Sequence, residues 1–160
     1  ISLSQGKFAE VDNDDFERVN SLKWCAAKSR KTFYAYHESS VFLGGKMISM
    51  HRFILGITDP TIKVDHKDHN GLNNTKKNIR ACTGTQNRAN SETARTNKSG
   101  FKGVSWHSGK WRVSICRNGQ DECVGYFSDI RAAAMAYDKK ARSYFGEFAW
   151  TNFPSQKADK

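Results

Sequence analysis

Residues 89–100, "ANSETARTNKSG", carry no large apolar side chain. A segment with nothing to bury cannot run through a core. The 160-residue chain must therefore build its apolar interior on either side of it, as two small cores rather than one. We expect a first part over 1–90, a linker at 91–100, a second part over 101–154, and a tail at 155–160. Aromatic residues make up 12% of the chain, so each core can be assembled from few side chains.

The second part has the clearest periodicity. "GFKGVSWH", "GKWRVSIC" and "CVGYF" alternate with period two and are separated by "SGK" and "RNGQD", in which Asn118-Gly119 is a strong hairpin signal. Ser128 is expected to cap a helix that runs through Phe145 and stops at Gly146. Ile130, Ala133, Ala134, Tyr137, Ala141 and Tyr144 fall on one face of that helix, and the alanines let it lie close on a sheet. Trp111, Val113 and Ile115 point towards the helix, while Arg112, Ser114 and Cys116 point away. One helix covers one face of a three-stranded sheet. The other face is polar and basic and needs water or a partner.

The first part is β-rich. "ISLSQGKFAEV" reads as a short hairpin around Gln5-Gly6, and "DNDDFERVNSLKW" as a helix capped by Asp12 or Asn13, with Phe16, Val19 and Leu22 at helical spacing. "DNDDFE" lacks the glycine and terminal glutamate of a calcium loop. "FYAYHE" and "KMISMHRFIL" are expected strands around a Gly44-Gly45 turn, the second turning helical near His51. Further on, "IKVDH" and "NIRACT" read as strands joined by the Asn/Gly-rich loop "HNGLNNTKK", and Thr83 to Gln86 has the form of a capping box that would begin a helix.

That last segment carries the chemistry. Cleaving a phosphodiester needs a base for water, a cation for the charge that develops, and a rigid frame. His66 ends a strand, and imidazole titrates near neutrality, which suits a base. Asp65 points to the other side of the pleat and offers a hard oxygen to a divalent ion, as the amide carbonyl of Asn87 does from the helix. Asn78 begins the second strand and is placed to hold the loop through amide hydrogen bonds. Asn70, Asn73 and Asn74 read as turn formers that supply positive φ. One carboxylate and one amide make a weak metal site, which DNA phosphate and water must complete.

"VDHKDHNGLNNTKKNIRACTGTQN" resembles the HNH endonuclease motif, in the variant of phage and intron-encoded homing endonucleases whose last motif position is Asn. The resemblance implies a ββα-metal unit at about 61–90. Asp65 and Asn87 become ligands of one Mg²⁺ or Mn²⁺, His66 the general base, and Asn78 the structural middle residue. "MHRFILG" resembles the His-Arg stretch that often precedes the motif, so His51 and Arg52, with His69 and Arg80, are candidates to contact phosphate or brace the site. "KGVSW", "GKWRVSI", "VGYF", "AAAMAYDKKA" and "FGEFAWTNFP" resemble the AP2/ERF DNA-binding domain. That resemblance puts Lys102, Ser105, Lys110, Arg112 and Ser114 on the DNA side, with His107 at the turn. HNH followed by AP2 is a known arrangement in phage homing endonucleases.

Charge supports a polyanionic partner. The net charge is +10, and residues 61–100 carry eight Lys/Arg against three Asp/Glu, whereas 1–60 carry eight against seven. Duplex DNA is the expected partner; no obligate protein partner is implied. No run approaches about eighteen apolar residues, and no basic-plus-apolar leader opens the chain. A membrane span and a signal peptide are therefore not expected, and the cytoplasm of a bacterial or phage-infected cell is. Cys25, Cys82, Cys116 and Cys123 lack C-x-x-C spacing and read as reduced thiols, without structural zinc. The whole is an α+β chain: a β-rich N-terminal part, a ββα-metal unit, and a three-stranded antiparallel sheet on one helix. Its expected activity is site-specific DNA cleavage, nicking one strand per monomer. The rival reading is a non-catalytic AP2-type regulator on a vestigial HNH scaffold.

Overall fold

The computed structural model describes residues 1–29, 31–38 and 47–153; the expected Gly44-Gly45 turn and the 155–160 tail lie outside them. The chain is mixed α and β, with antiparallel sheets and few helices. It divides into two compact units, Ile1–Thr83 and Gly84–Lys160.

In the first unit, helix α1 (Asn13–Asn20) precedes a three-stranded sheet of β1 (Cys25–Ser29), β2 (Thr32–Glu38) and β3 (Met47–Ser49) in that order. Helix α2 (Met50–Leu55) follows and closes on Gly56 in the left-handed region at φ 66°. Strands β4 (Lys63–His66) and β5 (Ile79–Cys82) form a separate antiparallel hairpin. Their register pairs Asp65 with Arg80 and His66 with Ile79, so the acid and the imidazole face opposite sides of the hairpin. Ile79 joins the apolar core with Val19, Trp24, Ala35, Met50 and Ile54.

Asp12 stands at the N-cap of α1, but its side chain makes no cap bond. Its carboxylate instead accepts from Lys76 N at 2.6 Å. Buried Asp15 pairs with both Arg18 and Lys76, each at 2.8 Å. The acidic first turn of α1 therefore grips the loop between β4 and β5.

In the second unit, α3 (Gly84–Ala89) precedes a sheet in the order β6 (Val104–His107), β7 (Lys110–Arg117), β8 (Gln120–Phe127), and then α4 (Ile130–Phe145). Ser108-Gly109 and Asn118-Gly119 have paired positive φ, as two-residue hairpin turns on a right-twisted sheet require. Ala133, Ala134, Tyr137 and Ala141 of α4 pack on Val104, Val113 and Ile115. The cap of α4 is Asp129, not Ser128: its carboxylate accepts from Ala132 N at 2.7 Å. Asp138, 2% exposed, accepts from Asn152 N and Phe153 N at 2.7 and 2.8 Å and ties down the segment after α4.

The expected boundary after residue 90 and the division at Thr83 differ by the seven residues 84–90, which hold α3. The C-terminal carbonyl of α3, on Ala89, accepts from Trp150 N at 3.1 Å and from Lys102 Nζ at 2.6 Å, which binds the helix to the second unit. No residue from 91 to 100 is buried, yet 97–100 is a folded turn, with Asn97 Oδ1 accepting from Ser99 N and Gly100 N.

Gly103 lies at φ 73°, and a Cβ there would meet the Tyr137 ring at 2.0 Å and the Ser114 carbonyl oxygen at 2.8 Å. Gly103→Ala is expected to destabilise the protein by about 2–4 kcal/mol through overpacking and left-handed strain. Urea unfolding of the variant against wild type measures the loss.

Candidate active site

The loop from Lys67 to Asn78 is built around one carboxylate. Asp68 Oδ1 accepts from Asn70 N and Asn78 Nδ2, both at 2.8 Å, and Oδ2 accepts from Asn73 Nδ2 at 2.8 Å. Asn78, 7% exposed, also donates to Asn73 O at 2.8 Å and accepts from Asp68 N at 3.1 Å. Burial pushes the Asp68 carboxyl up, but the donors from Asn70, Asn73 and Asn78 outweigh it and hold the group below the ordinary aspartate value.

The asparagines turn the chain with their side chains rather than through positive φ, which corrects the expectation. Asn70 Oδ1 accepts from Leu72 N at 3.1 Å, and Asn73 Oδ1 accepts from Thr75 Oγ1 at 2.9 Å. The one residue of this loop in the left-handed region is His69, at φ 62°. Gly71 serves a close approach instead: a Cβ there would meet Phe33 O at 2.5 Å and the Tyr34 ring at 2.6 Å. From the other side, the backbone of Glu10 donates to Leu72 O and accepts from Asn74 N, each at 2.8 Å.

This frame places Asn74, 1% exposed, beside His66, 5% exposed. Asn74 Nδ2 donates to Leu72 O at 3.2 Å, which turns Oδ1 towards the imidazole, 3.3 Å from His66 Nε2. An amide oxygen can only accept, so Nε2 carries the ring hydrogen and the basic lone pair resides on Nδ1. Burial pushes the His66 pKa below its ordinary value, only partly offset by the Asn74 bond and the charges of Asp68 and Asp65. The ring is therefore neutral near pH 7. Its walls are Tyr34, with ring centroids 5.6 Å apart, and His51, at 5.1 Å and an interplanar angle of 88°. Neither Asn74 nor Tyr34 was recognisable as a site residue: one read as a turn former, the other as a strand aromatic.

On the opposite side of the hairpin, Asp65 Oδ2 accepts from Arg80 Nε at 2.9 Å and Nη2 at 2.8 Å, with side chains 5% and 11% exposed. Nearby Cys82 stays a neutral thiol: burial and then the charge of Asp65 push it up to about 11. Asn87 lies exposed on α3 of the second unit. Among the described residues, no three His, Cys, Asp or Glu gather as a metal cage. Carboxylate oxygen, as on Asp65, and amide oxygen, as on Asn87, are each donors of the kind a hard cation takes.

Two residues expected near phosphate are engaged elsewhere. Arg52 donates to Asp59 O and Ile62 O, both at 2.6 Å, and so fastens the segment entering β4. Lys102, expected on the DNA side, donates its ammonium to Ala89 O and Ser91 O at 2.6 and 2.5 Å, and burial lowers it to about 8. It satisfies carbonyls at the end of α3. Ser105, His107 and Lys110 are exposed, and Arg112 and Ser114 half-buried. Ser105, Arg112 and Tyr126 form one row across the three strands, and Tyr126 is 51% exposed.

Comparison with known proteins decides the family. The chain is 36% identical, over 157 residues, to a protein of Acanthamoeba polyphaga mimivirus described as an uncharacterized HNH endonuclease. The match spans 95% of this chain and 78% of that one. The chain belongs to the HNH endonuclease family. It is also 31% identical over 88 residues to protein 3.8 of Escherichia phage T7, a match over 54% of this chain and 72% of the phage protein. No family model and no solved structure matches it. Among the described residues of this HNH family member, no helix is long and apolar enough to cross a membrane.

His51 hydrogen-bonds Ser49 Oγ through Nε2 at 3.1 Å, and its buried Nδ1 has no hydrogen-bond partner among the described residues. Burial, then the charges of His66 and Arg52, lower its pKa to about 3. Both imidazoles are depressed from 6.5, so below that pH the unfolded chain binds more protons than the folded one. Stability is then full above pH 6.5 and is lost as pH falls towards the folded values. The thermal midpoint is expected to drop between about pH 7 and pH 5, and to drop less in His51→Phe, which keeps a ring but removes a titrating group. Unfolding scans across that range read both slopes.

Proposed function

We propose that the chain is a site-specific DNA endonuclease of the homing type, in which β4, β5 and α3 form a ββα-metal unit and the β6–β8 sheet with α4 acts as an AP2-like DNA-docking module. The observation that carries the reading is the state of His66: buried, neutral, and held by Asn74 with its lone pair on Nδ1. Such a ring can take the proton of a water as its oxygen attacks phosphorus, while the 3′ oxygen departs and is protonated, leaving 5′-phosphate and 3′-hydroxyl ends. Asp65 and Asn87 would hold one Mg²⁺ or Mn²⁺, which when bound would supply charge stabilisation to the reacting phosphate. Asn78 holds the loop that carries Asn74, and hence the aim of the base. The exposed Lys110, His107 and Ser105, with Arg112 and Ser114, form the surface offered to duplex DNA.

A supercoiled-plasmid nicking assay with Mg²⁺ or Mn²⁺ tests the reading. His66→Ala is expected to lower the nicking rate by about 10²–10⁴-fold while leaving DNA affinity unchanged. Asn74→Ala should lose less, because the base remains but its tautomer is no longer fixed. Wild-type protein that binds duplex DNA and never cuts it would establish the regulator reading instead.

Affinity should also depend on salt, with log K falling against log salt at about −0.9 per neutralised phosphate. Arg112→Ala is expected to make that slope shallower by about one such contact. Filter-binding or anisotropy titrations at several salt concentrations give the slope.

A further inference from the structure

The Asp65–Arg80 pair does more than join two strands. The two residues face each other across the β4–β5 register, and two guanidinium nitrogens converge on one carboxylate oxygen at 2.8 and 2.9 Å. Both side chains are almost out of water. We propose that Arg80 is a resident counter-ion that occupies the cation position on Asp65 and keeps the protein from binding a divalent ion until DNA arrives. This rests on the nuclease reading in one respect, that Asp65 is a metal ligand.

Charge arithmetic supports the exchange. A buried carboxylate and guanidinium together carry no net charge, so a divalent ion approaching the pair gains nothing at distance. To reach Asp65 it must also pull the guanidinium off that carboxylate and break a close pair that is almost out of water, which is unfavourable. A phosphodiester changes both conditions. It brings a second negative charge, so that phosphate and Asp65 together balance the divalent ion. It also offers the guanidinium a new anion whose oxygens match its planar fork. Metal entry and transfer of Arg80 from carboxylate to phosphate then become one event, tied to the presence of DNA. Lysine in this place would be a point charge without that fork.

The test reads metal binding and stability on the full chain without DNA. Free Mn²⁺ is followed by its electron paramagnetic resonance signal during titration of wild type, Arg80→Met, Arg80→Lys and the double variant Asp65→Asn with Arg80→Met. Thermal unfolding is recorded with and without Mn²⁺. Arg80→Met is expected to melt lower than wild type, to regain part of that loss on adding Mn²⁺, and to bind Mn²⁺ about tenfold tighter or more. Arg80→Lys, which keeps a charge and is the safer variant to fold, should bind between the two. The double variant should lose the gain.

Mn²⁺ affinities of folded Arg80→Met and Arg80→Lys equal to wild type would overturn the proposal. So would failure of both variants to fold in saturating Mn²⁺, since the ion should then replace the guanidinium. A gain that persists in the double variant would place the ion away from Asp65 and also overturn it. Failure of the nuclease reading shows differently: the Mn²⁺ shifts appear, but wild-type protein does not nick DNA.

Discussion

The carboxylate of Asp68 is the constraint on which the first unit depends. It gathers three donors, from Asn70, Asn73 and Asn78, that would otherwise leave a twelve-residue polar loop to solvent. An ionised acceptor makes each of these bonds stronger than a neutral pair would be. The ring they close fixes where Asn74 leaves the loop, and Asn74 fixes which nitrogen of His66 holds the hydrogen. The N-terminal segment adds to the same frame from outside, through the backbone of Glu10 and the carboxylates of Asp12 and Asp15 on Lys76. A β-rich region that looks detached from the motif in sequence thus acts as its buttress.

How much of this could be read beforehand depended on whether the cause is local. The β6–β7–β8 sheet and α4 were legible because period-two alternation, an Asn-Gly turn and an alanine stripe each act within a few residues. The capping error at α4 spans one position, since Ser128 and Asp129 are both good caps and only geometry selects between them. Strand β1, "CAAKS", was missed because it contains no β-branched or aromatic residue; its pairing with β2 makes it a strand. Long-range causes stayed hidden. Gly71 reads as a turn glycine, but what it permits is contact with Phe33 and Tyr34, nearly forty positions earlier. Lys102 reads as one more basic residue of a DNA-facing segment, yet two carbonyls near the end of α3 claim its ammonium. At the candidate site the residue types were legible and their partners were not: Asp65 and His66 stand out in the sequence, Asn74 and Tyr34 do not.

The alternation of β4 also separates two tasks that conflict electrostatically. A base must be neutral to accept a proton, and a neutral imidazole is favoured by burial away from charge. A cation ligand must be charged, and a buried carboxylate needs a counter-ion to remain so. Adjacent residues on one strand point to opposite faces, so Asp65 meets Arg80 on one side while His66 meets Tyr34, His51 and Asn74 on the other. Two neighbouring side chains thereby have different surroundings, a guanidinium on one side and packed rings on the other, which under the proposed function are those a cation ligand and a base would need.

Both units share in the chain's net charge of +10: residues 1–83 carry thirteen Lys/Arg against nine Asp/Glu, and 84–160 thirteen against seven. Excess positive charge around His66 would hold the ring neutral but would also compete with any cation for Asp65. Residues 1–60 carry eight basic against seven acidic side chains, and the acids nearest the motif, Asp12 and Asp15, are spent on Lys76 of the loop itself. The excess begins with the motif itself, eight Lys/Arg against three Asp/Glu at 61–100, and continues at 101–160, ten against six, where Lys110 and Arg112 stand on β7. Near the imidazole, two of the hairpin's cations are answered within the unit by short contacts, Lys76 by Asp15 and Arg80 by Asp65, so the local signs are fixed residue by residue.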